Sequence, residues 1–156
     1  MTYERFEDLP VWKAAMSLAE RIYALTERAP FKRKYSLRDQ IERASLSVSN
    51  NIAEGFERGT TQELLTFLYI ARGSAGEVRS MLCFFERLPA FEDLKSEISN
   101  MKSDVEGISR QLRAWADALQ NTEIKGQRYL SEKERSISRQ KKEKAEFLDV
   151  LKSYKK

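Results

Sequence analysis

The residues of this chain that are best suited to chemistry are cations grouped beside an aromatic ring. Lys32, Arg33 and Lys34 are consecutive, Tyr35 follows them, and Arg38 comes three residues later. Lysine and arginine side chains neutralise phosphates and release their counterions, and an aromatic ring can stack on an unpaired base. The cluster therefore predicts contact with nucleic acid.

The C-terminal region holds the excess of positive charge. Residues 121–156 carry 11 Lys/Arg and six Asp/Glu, whereas the first 120 residues carry 17 and 18. A nearly neutral body with a basic arm is typical of proteins that touch nucleic acid, although a solubilising tail has the same composition. The further phosphate contacts that we predict are Arg43 on the body and, in the tail, Arg139, Lys141, Lys142 and Lys144.

Enzymatic chemistry is disfavoured by the composition. The chain has no histidine, which removes the commonest general base, the commonest transition-metal ligand and the Ser-His and Cys-His nucleophile pairs. The pairs Glu54/Arg58 and Arg38/Glu42 have the spacing of ordinary helix-surface ion pairs. Cys83 is expected to be a small core residue. We predict no catalytic residue, no metal site and no cofactor.

A cytoplasmic location is expected. No segment approaches the roughly 20 apolar residues of a membrane span. The first eight residues include acids and lack the layout of a signal peptide. Since the chain has one cysteine, it cannot form an intramolecular disulfide, which favours a reducing compartment. No membrane partner is predicted.

Four amphipathic segments must position these residues. The chain has only six glycines and three prolines, so long helices with short connections fit better than many strands. Ser36 is expected as the N-cap of the second helix, and Gly55 and Gly59 as its end. Thr60 or Thr61 is expected to begin the third. Apolar residues recur at spacings of three and four over about residues 9–28, 37–56, 64–85 and 91–119.

These segments predict an all-α protein, an antiparallel up-down four-helix bundle with a charged C-terminal extension. The bundle is expected to occupy residues 1–120. Residues 121–156 are expected to form a basic tail with a short amphipathic helix, since most of this region cannot bury enough apolar surface to order itself.

Small residues in the middle of the third helix have a structural interpretation. Gly73 and Gly76 each cost roughly 1 kcal/mol relative to alanine. We expect a neighbouring backbone, Trp12 or Trp115 to approach them closely. Asn51 is expected to be partly buried in a polar network; contact with RNA or a small molecule is the alternative.

The apolar surface exceeds what one small core requires, and this predicts self-association. A wide stripe that faces the core is the alternative. The expected oligomer interface consists of Trp12, Met16, Tyr23, Phe67, Ile70, Met81 and Phe84. A separate apolar face in the tail, suited to docking on a protein partner, consists of Phe147, Leu151 and Tyr154.

Several separated motifs resemble one family, the four-helix-bundle proteins encoded by intervening sequences in bacterial 23S rRNA genes. The resemblance covers about residues 6–120. Its most recognisable run is Ser47-Val48-Ser49-Asn50-Asn51-Ile52-Ala53-Glu54-Gly55, and the others are residues 6–14, 22–26, 35–44 and 67–74. The family is more distantly related to the accessory variability determinant of diversity-generating retroelements.

The resemblance implies a bacterial helical bundle that assembles into a ring, commonly a pentamer. The retroelement relative also implies binding to a reverse transcriptase and to nucleic acid through a basic surface. This chain departs from the family pattern in having Ser49 in place of a proline and Glu42 in place of a basic residue.

Taken together, these features predict a non-enzymatic oligomeric accessory protein that binds RNA or DNA through basic surfaces. The alternative is a protein-interaction scaffold that presents its ring or its tail helix to a dedicated partner, for example a reverse transcriptase.

Overall fold

The computed structural model describes residues 3–121, residue 140 and residues 143–147. Four α-helices account for most of the first segment, and three short 3-10 turns, at Phe6–Asp8, Ala29–Phe31 and Pro89–Leu94, precede or connect them. The all-α prediction is therefore confirmed over the described residues. The helices are α1 (Pro10–Thr26), α2 (Tyr35–Glu57), α3 (Thr61–Glu86) and α4 (Lys95–Gln120).

Each helix packs on its neighbours in the chain, and α4 returns to pack on α1. The predicted apolar seams supply the core, because most of their residues are buried on each of the four helices. Along α2 and α3 the contacts run in opposite order: Gln40 bonds Glu77, whereas Ser47 bonds Ser74. These antiparallel contacts agree with the predicted up-down order of the helices. The up-down topology itself stays a prediction.

The end of the bundle that holds the α1–α2 connection is closed by three phenylalanines. Phe31 meets Phe85 and Phe91 edge to face, with ring centroids 5.1 and 4.9 Å apart. Phe85 and Phe91 stack at 5.0 Å. All three rings are buried. Phe91 lies in the 3-10 turn before α4, so the apolar periodicity predicted for the fourth helix begins before the helix does.

The predicted boundary of α3 is confirmed at Thr60. Its hydroxyl accepts a hydrogen bond from the Glu63 backbone N–H at 3.2 Å and donates to the Glu63 carboxylate at 2.6 Å. Gly59, just before it, has a φ of 82°, which glycine adopts without strain. The prediction for Ser36 is wrong: α2 begins at Tyr35, and Lys34 occupies the N-cap position without a side-chain hydrogen bond.

Three predictions about small residues are also wrong. Gly55 does not end α2 but lies buried inside it, against Phe67 and Leu64. Gly73 and Gly76 are exposed, and a Cβ atom on either would have no neighbour within 4 Å in the described part of the chain. Cys83 is half-buried instead of being a core residue.

The tail region is described only in part. Residue 140 and residues 143–147 are helical and exposed. The division into residues 1–120 and 121–156 stays a prediction. No helix in the described segments is both long enough and apolar enough to cross a membrane.

Candidate nucleic-acid interface

The α1–α2 connection carries the predicted cation cluster, and its shape follows from the local sequence. Pro30 cannot continue α1, so the chain makes a 3-10 turn over Ala29–Phe31. The buried Phe31 ring fixes this turn to α3 and to the turn before α4. Lys32, Arg33 and Lys34 follow directly and are therefore held at one end of the bundle.

Arg33 has an unusual backbone conformation. Its φ is 68°, a left-handed value that costs a non-glycine residue roughly 1–2 kcal/mol. A hydrogen bond of 3.0 Å from the Lys34 N–H to the Phe31 carbonyl closes the turn around it. Lys32 and Arg33 are exposed, and Lys34 is half-buried. Within the described residues, none of the three forms an ion pair.

Arg38 is held between two carboxylates. Its Nε donates to Glu42 Oε1 at 2.8 Å, and its Nη2 donates to Glu27 Oε1 at 2.5 Å. The hydrogen bond to Glu42, helped by the charges of both acids, raises the pKa of Arg38. Thr26 also donates to Glu42 Oε1 at 2.5 Å. Arg38 is therefore a fixed cation whose charge is already neutralised locally.

A surface hollow of about 420 Å³ lies beside these groups. Tyr35, the first residue of α2, is among its lining residues and is 76% exposed. The lining combines two aromatic residues with four charged ones. It consists of Thr26, Glu27, Phe31, Lys32, Arg33, Tyr35 and Arg38.

The structure does not bring Arg43 to this cluster. Arg43 is five residues beyond Arg38, which places it about 140° round the α2 axis. Its Nε lies 3.3 Å from an Asp39 carboxylate oxygen, in a pair that is exposed on both sides. Of the predicted tail contacts, Lys144 is exposed on a helical stretch. Arg139, Lys141 and Lys142 lie outside the described residues.

A family model described as 23S rRNA-intervening sequence protein matches residues 7–114. The chain belongs to this family. The match spans α1 to α3 and most of α4, so the α1–α2 connection lies within the family region and the basic tail lies beyond it. No curated protein matches the chain.

The predicted oligomer interface of this intervening-sequence protein is only partly on the surface. Ile70, Phe84 and Tyr23 are 46%, 47% and 39% exposed. Ile70 and Phe84 are 14 residues apart, or nearly four helical turns, and so share one face of α3. Met81 does not share it, because the residue is only 8% exposed and belongs to the core.

The remaining interface residues are half-buried. Trp12 packs edge to face on Phe6, with ring centroids 5.2 Å apart. The guanidinium of Arg58 lies 4.9 Å from the centre of the Phe67 ring. Met16 is half-buried on α1. In the predicted docking face of the tail, Phe147 is 63% exposed, and Leu151 and Tyr154 lie outside the described residues.

Asn51 belongs to a polar network between α2 and α3. Its Nδ2 donates to the Ser47 carbonyl at 2.7 Å and to the Ser47 hydroxyl at 3.0 Å. The Ser47 and Ser74 hydroxyls are 2.9 Å apart. Asn51 is half-buried, as predicted. The network satisfies its donors within the bundle, which favours the structural role.

Sequence reasoning missed the part that Glu27 and Thr26 play at the site. The spacing of Arg38 and Glu42 signalled their pairing, but Glu27 comes from the C-cap position at the end of α1. Only the packing of α1 on α2 brings its carboxylate to Arg38. No local pattern in the sequence indicates that contact.

Proposed function

We propose that this intervening-sequence protein is a non-enzymatic, oligomeric accessory protein that binds nucleic acid through the α1–α2 connection. The observation that carries the proposal is the cluster of Lys32, Arg33 and Lys34, which has no carboxylate partner in the described part of the chain. Most other arginines of the bundle, such as Arg58 and Arg79, pair with acids, whereas Arg87 is exposed and unpaired in the described segments.

The lack of partners matters because it determines how much net binding free energy a phosphate contact provides. An ion pair must be broken before its cation can contact phosphate, whereas an unpaired cation exchanges only loosely held counterions. Repetition of the cluster around an oligomer would raise the local positive potential further. The three unpaired cations are therefore expected to dominate the affinity, ahead of Arg38 and Arg43.

Fluorescence anisotropy of a structured RNA and a matched DNA duplex, over a salt series, tests the proposal with the full-length chain. The loop variant is Lys32→Gln/Arg33→Gln/Lys34→Gln. Its slope of log affinity against log salt should be shallower than that of the wild type by about 2 to 3, since each lost phosphate contact removes about 0.7–0.9. A control with the same loss of charge is Lys13→Gln/Arg110→Gln/Arg113→Gln, all exposed positions on α1 and α4.

A tail variant, with Arg139, Lys141, Lys142 and Lys144 all changed to Gln, separates the two basic regions. If the tail variant alone loses affinity, the α1–α2 connection is not the contact surface. Equal losses of affinity in the loop variant and its control would mean that binding depends on the net charge of the protein and not on the position of the cations. No salt-sensitive binding by the wild type would leave the nucleic-acid function without support.

Self-association through α3 is the second part of the proposal. It is supported by the exposed side chains of Ile70 and Phe84 on one helix face. Ile70→Glu/Phe84→Glu should dissociate the assembly without loss of helicity, measured by sedimentation equilibrium and circular dichroism. Ser99→Glu/Ala114→Glu, at exposed positions on α4, is the control. A wild-type protein that sediments as a monomer would contradict this part.

A protein-interaction scaffold is the alternative function, and the exposure of Phe147 favours it. This aromatic side chain is 63% exposed on a helical stretch. If the tail docks on a partner such as a reverse transcriptase, Phe147→Ala/Leu151→Ala/Tyr154→Ala should abolish copurification of the two coexpressed proteins. Undiminished copurification would count against docking through the tail.

A further inference from the structure

We infer that the hollow at the α1–α2 connection holds an unpaired base against the Tyr35 ring, with the adjoining phosphate on Lys32 and Arg33. This inference rests on the proposed nucleic-acid function and deepens it, since it specifies single-stranded nucleic acid as the ligand.

The state of the Tyr35 ring is the first observation. Tyr35 is 76% exposed, and its ring makes no hydrogen bond or ring contact with the described residues. Tyr69, another exposed tyrosine of the bundle, differs because its hydroxyl accepts a hydrogen bond from Gln120 Nε2 at 2.7 Å. Tyr35 thus has a π-face available for stacking, which every base can use.

The hollow beside this ring has a suitable size. Its volume of about 420 Å³ falls within the roughly 300–1,000 Å³ of small-ligand pockets. Tyr35 provides the exposed aromatic surface, because Phe31 and Thr26 line the hollow but are each only 2% exposed. One base can enter a hollow of this kind only if it is not paired, because a base pair presents its edges and keeps its faces stacked.

The charged residues around the hollow favour the base and the phosphate at different residues. Glu27 lines the hollow and its side chain is 68% exposed, so it disfavours a phosphate beside it. Lys32 and Arg33, which also line the hollow, attract a phosphate and have no carboxylate partner in the described part of the chain. Arg38, held by Glu27 and Glu42, presents a fixed guanidinium that can contact a base.

A second hollow shows what distinguishes this one. It lies between α1 and α4, has a volume of about 310 Å³, and is lined by small, polar and aliphatic residues. Its only cation, Arg21, is paired with Asp104 of α4. No aromatic ring lines it. This hollow therefore has neither an aromatic ring for a base nor an unpaired cation for a phosphate.

The test compares a labelled single-stranded RNA of about 12 nucleotides with the same strand in a duplex. Both are titrated with full-length wild type, Tyr35→Ala and Tyr35→Phe. Tyr35→Ala should weaken single-strand binding by about fivefold to a hundredfold, the range that stacking on one aromatic side chain provides. Tyr35→Phe keeps the ring and should remain within twofold of the wild type. Duplex binding should not change by more than twofold in either variant.

Tyr69→Ala, a loss of another exposed ring, is the matched control and should leave single-strand binding unchanged. A strand with abasic sites in place of its bases gives a second measurement. Wild type should lose affinity for it, whereas Tyr35→Ala should bind the abasic and intact strands equally. Tyr35 is so exposed that its variants should keep the wild-type melting temperature.

The outcomes distinguish the two proposals. If Tyr35→Ala leaves single-strand affinity unchanged, or lowers single-strand and duplex affinity alike, while the loop variant still loses affinity, the base-stacking inference is overturned and the proposed function stands. If the wild type binds neither form, the proposed function fails and the inference fails with it.

Discussion

Gly55 of α2 lies so close to Phe67 of α3 that a Cβ atom on Gly55 would be 2.6 Å from the Phe67 Cβ. Real Cβ atoms do not approach backbone-proximal atoms this closely, so the contact requires glycine. The two helices form one of the most extensive interfaces of the bundle. The position of Gly55 therefore sets how near α2 and α3 can approach at the end where the chain turns between them.

The first prediction is that Gly55→Ala destabilises the protein, although alanine is the better helix former. Alanine would gain roughly 1 kcal/mol from helix propensity. Forcing the methyl against Phe67 should cost about 1–3 kcal/mol, since a packed core resists added volume. We expect a net loss in the free energy of unfolding, measured by urea denaturation. An equal or higher urea midpoint would show that α2 and α3 separate without cost.

Gly73→Ala and Gly76→Ala are the matched controls. Both glycines lie within α3, and the added methyl would meet no atom within 4 Å in the described part of the chain. Each substitution should raise stability by roughly 1 kcal/mol through helix propensity alone. If α3 is also the oligomer interface, sedimentation should show whether the added methyl groups disturb it.

These glycines show what the sequence could and could not predict about the fold. Apolar periodicity predicted the four helices, because burial of one face requires a spacing of three and four. It could not tell Gly55, which is packed against Phe67, from Gly73, which is open to solvent, since both interrupt a helical pattern. That distinction depends on which face of the neighbouring helix lies opposite, and only the packed structure supplies it.

The second prediction concerns the anchor of the α1–α2 connection. Phe31→Ala removes a buried ring that contacts both Phe85 and Phe91. It should lower the free energy of unfolding by about 3–5 kcal/mol, as cavity formation does elsewhere. Phe84→Ala is the control, because Phe84 is 47% exposed and its loss should cost much less in a dissociated chain. Urea denaturation would measure both, and equal losses would contradict the anchoring role.

The sequence predicted the cations of the candidate site, but it did not predict which of them are paired with carboxylates. Lys32, Arg33 and Lys34 were recognised because they are adjacent. Their lack of carboxylate partners was not, because Glu27 and Glu42 could have paired with any of them. The structure commits both acids to Arg38. The predicted contact Arg43 lies on a different face of α2 from Arg38, about 140° round the helix axis, and its part in binding stays a prediction.

The third prediction concerns pH. Lys102 Nζ lies 2.6 Å from Glu86 Oε2, in a pair that is about one-quarter exposed on each side. This hydrogen bond, with a contribution from Cys83, raises the pKa of Lys102 above its ordinary 10.5. A cation whose pKa is raised on folding stabilises the protein fully below the unfolded value, and the stabilisation is lost as pH rises through the folded value.

The difference in urea midpoint between wild type and Lys102→Met should therefore be constant from neutral pH to about pH 9.5 and shrink above pH 10.5, the ordinary pKa of lysine. Lys95→Met is the control, because the Lys95–Glu92 pair is far more exposed and surface pairs contribute little. A Lys102→Met difference that stays constant to about one pH unit above the ordinary lysine pKa would show that the ammonium charge contributes no stability.

The last prediction is that Glu42→Gln strengthens nucleic-acid binding. The substitution keeps an oxygen that can accept from Arg38 and Thr26, so the hydrogen bonds now made by Glu42 can persist. It removes one of the two negative charges that neutralise Arg38. Affinity should rise at low salt, and the slope of log affinity against log salt should steepen by up to about 0.9, one further phosphate contact. The free energy of unfolding should fall by about 1 kcal/mol, because the hydrogen bonds lose a charge.

Glu57→Gln gives the control for net charge. Glu57 is exposed near the other end of α2, about 22 Å from Glu42 along the helix, which is beyond the Debye length of about 10 Å at 0.1 M salt. It should leave the affinity nearly unchanged in that salt. An equal gain from both variants would mean that binding follows total charge rather than Arg38. If neither variant changes the affinity or the salt slope, Arg38 makes no phosphate contact even when it is partly released, and the site is confined to Lys32, Arg33 and Lys34.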